Sequence, residues 1–262
     1  MKKLTRIAFV FFLMQCTLGF SHSAANPIAQ NRQSQQTTVL DDNSRPQEIL
    51  AIPDEQSVKP GVNKKFVDPD LDVDSFVKRF EIESREVFVN RERILAACGI
   101  EKGDTVADVG AGTGLFTRMF SLEVGDDGWV YAVDIAPRFI EHINGEAEKH
   151  DLTNITGVLC AENSINLPPE SSDVVFVCDT YHHFEYPKST LASIRRAMKD
   201  EGHLIVIDFE RIEGKSREWL LGHVRAGKET FRAEILDAGF ILVEEIKING
   251  FEENYFLKFK KH

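Results

Sequence analysis

No stretch of the 262-residue chain reaches the roughly 18 consecutive apolar residues that a bilayer-spanning helix needs. Bases are in deficit, 31 against 42 acids, for a net charge of −11. A surface of that sign gives no footprint for gripping a phosphate backbone, which argues against a nucleic-acid partner. With only 17 glycines and 9 prolines, collagenous and Gly/Pro-rich low-complexity chains are excluded. Cysteine is scarce too, at four residues. Cys98, Cys160 and Cys178 stand 62 and 18 residues apart, which matches no zinc pattern, and no metal ligands are assigned. Cys98 reads as a small buried hydrophobe. Cys160 and Cys178, both at strand ends, read first as core packing, with reactive thiols or a shared soft acceptor such as arsenite as the alternative.

What is present falls into three parts. Lys2, Lys3 and Arg6 make a basic start, and a mostly apolar run covers 7–20. Ser23, Ala24 and Ala25 then supply the small residues of a cleavage site, so residues 1–25 are expected to be a secretory signal cut before Asn26. The alternative is an uncleaved N-terminal helix acting as an anchor. Cleavage removes three bases and no acids, taking the charge from −11 to −14, and places the protein in the periplasm or outside the cell, with no membrane span remaining. Residues 26–71, rich in Gln, Asn, Ser and Pro, are expected to be a flexible polar leader. The folded domain is expected over 72–262.

Within that domain short apolar strands alternate with amphipathic helices. Val87, Phe88, Ile94, Leu95 and Cys98 share a helical face that Gly99 closes. Strands are expected at 105–109, 129–133, 155–160, 173–178, 203–208, 241–248 and 255–260, with helices at 115–122, 137–150, 190–199 and 228–238. The pattern indicates an α/β domain, a doubly wound and mostly parallel sheet covered on both faces. Asn249-Gly250 between the last two strands predicts an antiparallel hairpin at one edge.

In such sheets ligands bind outside the carboxyl ends of the strands. There the first strand runs into Gly110, Ala111, Gly112, Thr113 and Gly114, a turn that lets a ligand approach the backbone. A dinucleotide fingerprint would place its third glycine where Leu115 stands. Asp108, two residues before the first glycine, would repel a pyrophosphate but attract a ligand carrying an ammonium and a sulfonium. Both features argue against a nicotinamide oxidoreductase. Asp134 closes the second strand 24 residues after Gly110, a spacing suited to a carboxylate holding ribose hydroxyls. Its bland alternative is capping of the helix that Pro137 opens.

The run from Val106 to Thr117, with Val133-Asp134 after it, resembles class I S-adenosylmethionine-dependent methyltransferases, and the likeness extends from about Arg85 to the last strand. The resemblance implies a Rossmann-like methyltransferase fold, a doubly wound seven-stranded sheet with one antiparallel edge hairpin. It implies S-adenosylmethionine as cofactor, with Asp108, Gly110, Ala111, Gly112, Thr113 and Gly114 around its methionine part and Asp134 and Ile135 at the ribose. Where the family often has Gly-Asp to meet the adenine, this chain has Glu162-Asn163, and the Asn163 amide oxygen can accept the same bond. Asp179 is expected at the methionine end. The stretch from Asp179 to Phe184 resembles the branch that methylates small molecules and quinones, and it lacks the Asn/Asp-Pro-Pro-Tyr loop of base-methylating enzymes. A small or lipid-like acceptor follows, with His182 and His183 as candidate bases and Tyr181 as an orienting group; capping and packing is the alternative for either histidine. Arg79 through Arg91 is expected to lid the pocket, with Arg85 or Phe88 touching ligand; a simple packing helix is the alternative. A non-catalytic S-adenosylmethionine-binding sensor is the alternative function.

Overall fold

The computed structural model describes residues 54–82 and 85–262; the signal expected over 1–25 and the first part of the leader lie outside the described residues. Seven strands form one sheet: β1 (Thr105–Val109), β2 (Trp129–Asp134), β3 (Ile155–Leu159), β4 (Ser172–Cys178), β5 (Met198–Phe209), β6 (Phe240–Glu245) and β7 (Asn254–Lys261). Their order is β3-β2-β1-β4-β5-β7-β6. The central strands pair in parallel, and β7 runs antiparallel to both β5 and β6. The expected reversed hairpin is therefore present, with β7 inserted inside the sheet and β6 forming the edge.

The helices are α1 (Val73–Phe80), α2 (Glu86–Val89), α3 (Arg91–Cys98), α4 (Leu115–Val124), α5 (Pro137–Lys149), α6 (Pro187–Ala197), α7 (Glu218–His223) and α8 (Lys228–Asp237). None of the helices among the described residues is long and apolar enough to cross a membrane. Period-two alternation splits the strand side chains between two cores. Val106, Val174, Phe176 and Ile205 face α3 and α4, while Ala107, Val175, Val177 and Leu204 face α6 and α8. Phe116, Phe120 and Phe176 interlock on the first face, with ring centroids 4.9 Å apart for each contact to Phe176.

Three local expectations are corrected. The single helix read through Val87 to Cys98 is broken at Asn90, whose backbone (φ −98°, ψ 11°) leaves helical geometry while its side chain bonds the Glu86 carbonyl. The β6–β7 connection is longer than a two-residue turn and spans 246–253. The Glu86 carboxylate holds it from outside, accepting the amides of Glu252, Glu253 and Asn254 at 2.9–3.1 Å.

The leader expected to run to 71 is likewise corrected at its far end. Glu55 accepts the amides of Lys188 and Ser189 at the start of α6, both at 2.8 Å, an anion placed at a helix N-terminus. Buried Glu185 accepts the Ser57 hydroxyl and the Gly61 amide. Phe66 packs on Phe76 and Phe139 with centroids 5.6 and 6.3 Å away. Residues 54–71 thus belong to the folded unit, because scattered single anchors dock a segment whose average composition is polar.

Candidate active site

The chain order reverses between β1 and β4, and a cavity of about 460 Å³ opens there beyond the strand ends. On the β1 side the chain leaves the strand through Gly110 at φ +75°, a left-handed conformation. A Cβ at this residue would lie 2.2 Å from Cγ2 of Thr180, so the loop and the end of β4 touch because Gly110 has no side chain. The amides of Gly110 and Ala111 donate to the Val133 carbonyl, and that of Gly112 to Asp134 Oδ2 at 2.8 Å. With these donors spent on β2, the loop offers a close surface instead of the nest of amides that a phosphate requires.

Asp108 and Asp134 line the cavity at 4% and 6% exposure. Burial pushes Asp108 up to about 7, against the hydrogen bond it accepts from Thr117 Oγ1 at 2.6 Å, and neighbouring Asp134 adds to the rise. Burial also raises Asp134 to about 6, opposed by the backbone amides of Ala136 and Gly112. Capping and ligand holding are therefore not exclusive for Asp134: both its oxygens hold backbone while it lines the cavity. Two carboxylates that burial makes costly to ionise are suited to a cation that restores their charge.

On the β4 side, Asp179 (φ 49°) pairs with Arg85 and accepts Asn254 Nδ2 at 2.7 Å. Tyr181–His183 form a 3-10 turn. His182, 2% exposed, places Nδ1 2.8 Å from Asp208 Oδ1, while its Nε2 lies 3.2 Å from His223 Nε2 on α7. Burial holds His183 down at about 2 and His223 at about 4, with neighbouring His182 adding to each, so both are neutral imidazoles near pH 7. Phe66, Phe209 and Trp219 pack on these histidines, while Phe80 lies over Gly112 and Phe139 stands with Ala136 after β2.

Of the residues expected at the site, Asp108, Gly110, Ala111, Gly112, Thr113, Asp134, Ile135, Glu162, Asp179, His182 and His183 line the one cavity. Three do not. Gly114 (φ +77°) is the N-cap of α4, beneath the loop. Asn163 sits exposed at the tip of the turn bridged by Ala161 and Ser164, and its neighbours Ala161, Glu162 and Ser164 line the cavity in its stead. Tyr181 points into the other core, against Phe184 and Phe231, and donates its hydroxyl to Glu234 at 3.0 Å. Tyr181→Phe should therefore cost about 1 kcal/mol of stability in urea unfolding and leave methyl transfer within about twofold.

From the segment expected to cover the pocket, Arg79, Phe80, Arg85, Glu86 and Val87 line the cavity, and Glu81 accepts the Thr113 hydroxyl at 2.8 Å; Phe88 instead lies beneath Arg91. Cys160 and Cys178 both line the cavity but belong to opposite cores, and the strands they follow are separated by β2 and β1, about 14 Å at the spacing of paired strands. They cannot share one ion. Burial pushes Cys160 up to about 12 and Cys178 well above its usual value, which keeps both as thiols.

Residues 100–259 match the family model described as a methyltransferase domain. The chain belongs to that methyltransferase family. It is 29% identical, over 119 residues, to the ubiquinone/menaquinone biosynthesis C-methyltransferase UbiE of Paraburkholderia phytofirmans, covering 45% of this chain and 48% of that protein. The chain thus spans about half the length of the curated relatives it matches. Among solved structures, a SAM dependent methyltransferase from Aquifex aeolicus is 26% identical with a TM-score of 0.64, covering 73% of this chain and 99% of that one. Phosphoethanolamine N-methyltransferase 2 of Haemonchus contortus, solved with S-adenosylhomocysteine, shares the fold at 17% identity and a TM-score of 0.56, covering 72% of this chain and 60% of that one.

The methyltransferase uses S-adenosylmethionine, and its cavity fits that cofactor: two buried carboxylates line it, which suits a cation, and a side-chain-free loop admits close approach. Sequence reasoning missed Thr117, Asn254, Asp208 and His223. Asp208 near the carboxyl end of β5 follows the same strand-end rule as Asp108 and Asp134 and was findable. His223 was not, since α7 carries too short a pattern to reveal itself.

Proposed function

We propose that the methyltransferase acts on a small, largely apolar, ring-bearing acceptor of the quinone type. The observation that carries this reading is the two-sided cavity, with carboxylates under the glycine loop and aromatic rings with three histidines at the β4–β5 end. The relatives named for ubiquinone and menaquinone biosynthesis support it. S-adenosylmethionine supplies, when bound, a methyl group on a cationic sulfur.

The chain's own residues divide the work along the strand order. With the cofactor bound, Glu162 after β3 and Ile135 after β2 would face the base and sugar, Asp134 would take the ribose hydroxyls, and Asp108 with Gly110 and Ala111 would hold the methionine end beside Asp179. Aromatic side chains exclude water and orient the acceptor, and alignment supplies most of the rate. His182 donates Nδ1–H to Asp208, which leaves Nε2 as acceptor and fixes the ring toward the position where an acceptor hydroxyl would lose its proton, while burial keeps His183 and His223 as neutral, weakly basic neighbours.

The test uses the full chain with methyl-labelled cofactor and two acceptors, a demethylated hydroquinone and ethanolamine phosphate. Label is expected in the hydroquinone; label confined to the amine contradicts the reading. We also propose that the basic start and apolar run export the enzyme. N-terminal sequencing of protein recovered outside the cytoplasm should begin at Asn26, and an intact Met1 would refute cleavage.

A further inference from the structure

We propose that His182, His183 and His223 form a binding site for one divalent transition-metal ion of the zinc type. One ring nitrogen from each lies within 4.8 Å of those of the other two, although the 3-10 turn and α7 are separate elements. The Nε2 atoms of His182 and His223 are 3.2 Å apart. Two ligands of a tetrahedral ion at about 2.0–2.1 Å from nitrogen lie about 3.3 Å from each other, so this pair already has the spacing that one ion imposes.

The surroundings are those of a built site. His182 Nδ1 is bonded to Asp208, and Asp208 is itself fixed by the amides of His182 and Phe209 at 3.1 and 2.7 Å. A carboxylate on the far nitrogen sets the tautomer that leaves Nε2 free to ligate. Lys59 and Lys65 bring positive charge toward the cluster, and buried Asp208 opposes them at His223. The Nδ1 atom of His183 is buried with no partner. Trp219 stacks on His223 at 4.8 Å and 21°, and Phe66 meets His183 edge-on at 5.2 Å, so two of the rings are held in place. An all-nitrogen set favours Zn²⁺, Co²⁺ or Fe²⁺ over Mg²⁺ or Ca²⁺. All three histidines line the cavity, so the ion's fourth position opens to a ligand from that space. Binding of the ion stands independently of which acceptor the enzyme uses.

Full-length protein stripped with a chelator should take up one equivalent of Co²⁺, with visible ligand-field bands, no thiolate charge-transfer band, and displacement by Zn²⁺. His223→Gln and His183→Gln should each weaken uptake about 100-fold, and Asp208→Asn about 10–100-fold. Circular dichroism and calorimetric titration with S-adenosylmethionine on the same samples report the fold and the cofactor pocket separately. Absence of a saturating equivalent, or undiminished uptake by His223→Gln, would overturn the proposal. If a variant fails to fold, X-ray absorption of the Co²⁺-loaded wild-type chain decides: imidazole ligation supports the site, and sulfur or all-oxygen ligation refutes it.

Discussion

Asp108→Asn is expected to weaken S-adenosylmethionine binding about 100-fold or more while making the free protein more stable at pH 8. Asp108 is 4% exposed and pushed up to about 7, chiefly by burial. Its folded value lies above its unfolded one, so the folded state holds the extra proton. Stability of the free protein is therefore greatest below about pH 4 in this group's contribution and declines as pH rises toward 7. Asparagine removes that decline and can still accept the Thr117 hydroxyl, for a gain of order 2–4 kcal/mol at pH 8. Binding goes the other way, because a buried charge that faces a cation contributes several kcal/mol to affinity. In the wild type the same linkage makes cofactor affinity rise with pH up to about 7 and then level off. Asp134, Cys98 and Cys178 also face this carboxyl, and the two thiols stay protonated throughout, so the profile belongs to the aspartate pair. Urea unfolding and calorimetry between pH 5 and 8, in both proteins, check the two signs together.

The second large effect is at Gly110. Its φ of +75° costs an alanine about 1–2 kcal/mol, and the added Cβ would lie 2.2, 2.4 and 2.8 Å from three side-chain atoms of Thr180. Thr180 cannot yield freely, since its hydroxyl is bonded to the Cys178 carbonyl at 2.9 Å. Gly110→Ala should lose about 3 kcal/mol or more in urea unfolding and at least about tenfold in cofactor affinity. Adding Thr180→Gly removes the collision but not the backbone strain, and should recover part of both losses. An alanine variant with unchanged affinity would show that the loop does not approach the ligand.

The strand pattern, the reversed hairpin and the donor side of the cavity were legible in the sequence because each is written locally. Buried parallel strands are continuous apolar runs, and Asp108, Gly110 and Asp134 stand at strand ends where topology places a ligand. What was not legible depends on pairs far apart in the chain. Tyr181 and His182 are adjacent, yet the turn sends one into the core toward Glu234 and the other onto Asp208 in the cavity. Glu55 and Glu86 act on helix and strand starts more than 130 residues away, so no window of sequence shows them as anchors. His223 enters the site only because α7 folds back over the end of β5, which closes the histidine cluster.

Where the cofactor sits is the central claim, and hydrogen exchange followed by mass spectrometry, with and without S-adenosylmethionine, tests it most directly. Protection should rise at 108–117, 133–136, 160–165 and 179–183, the segments that converge on the cavity. Protection confined to other segments, or none at saturating cofactor, would contradict the account.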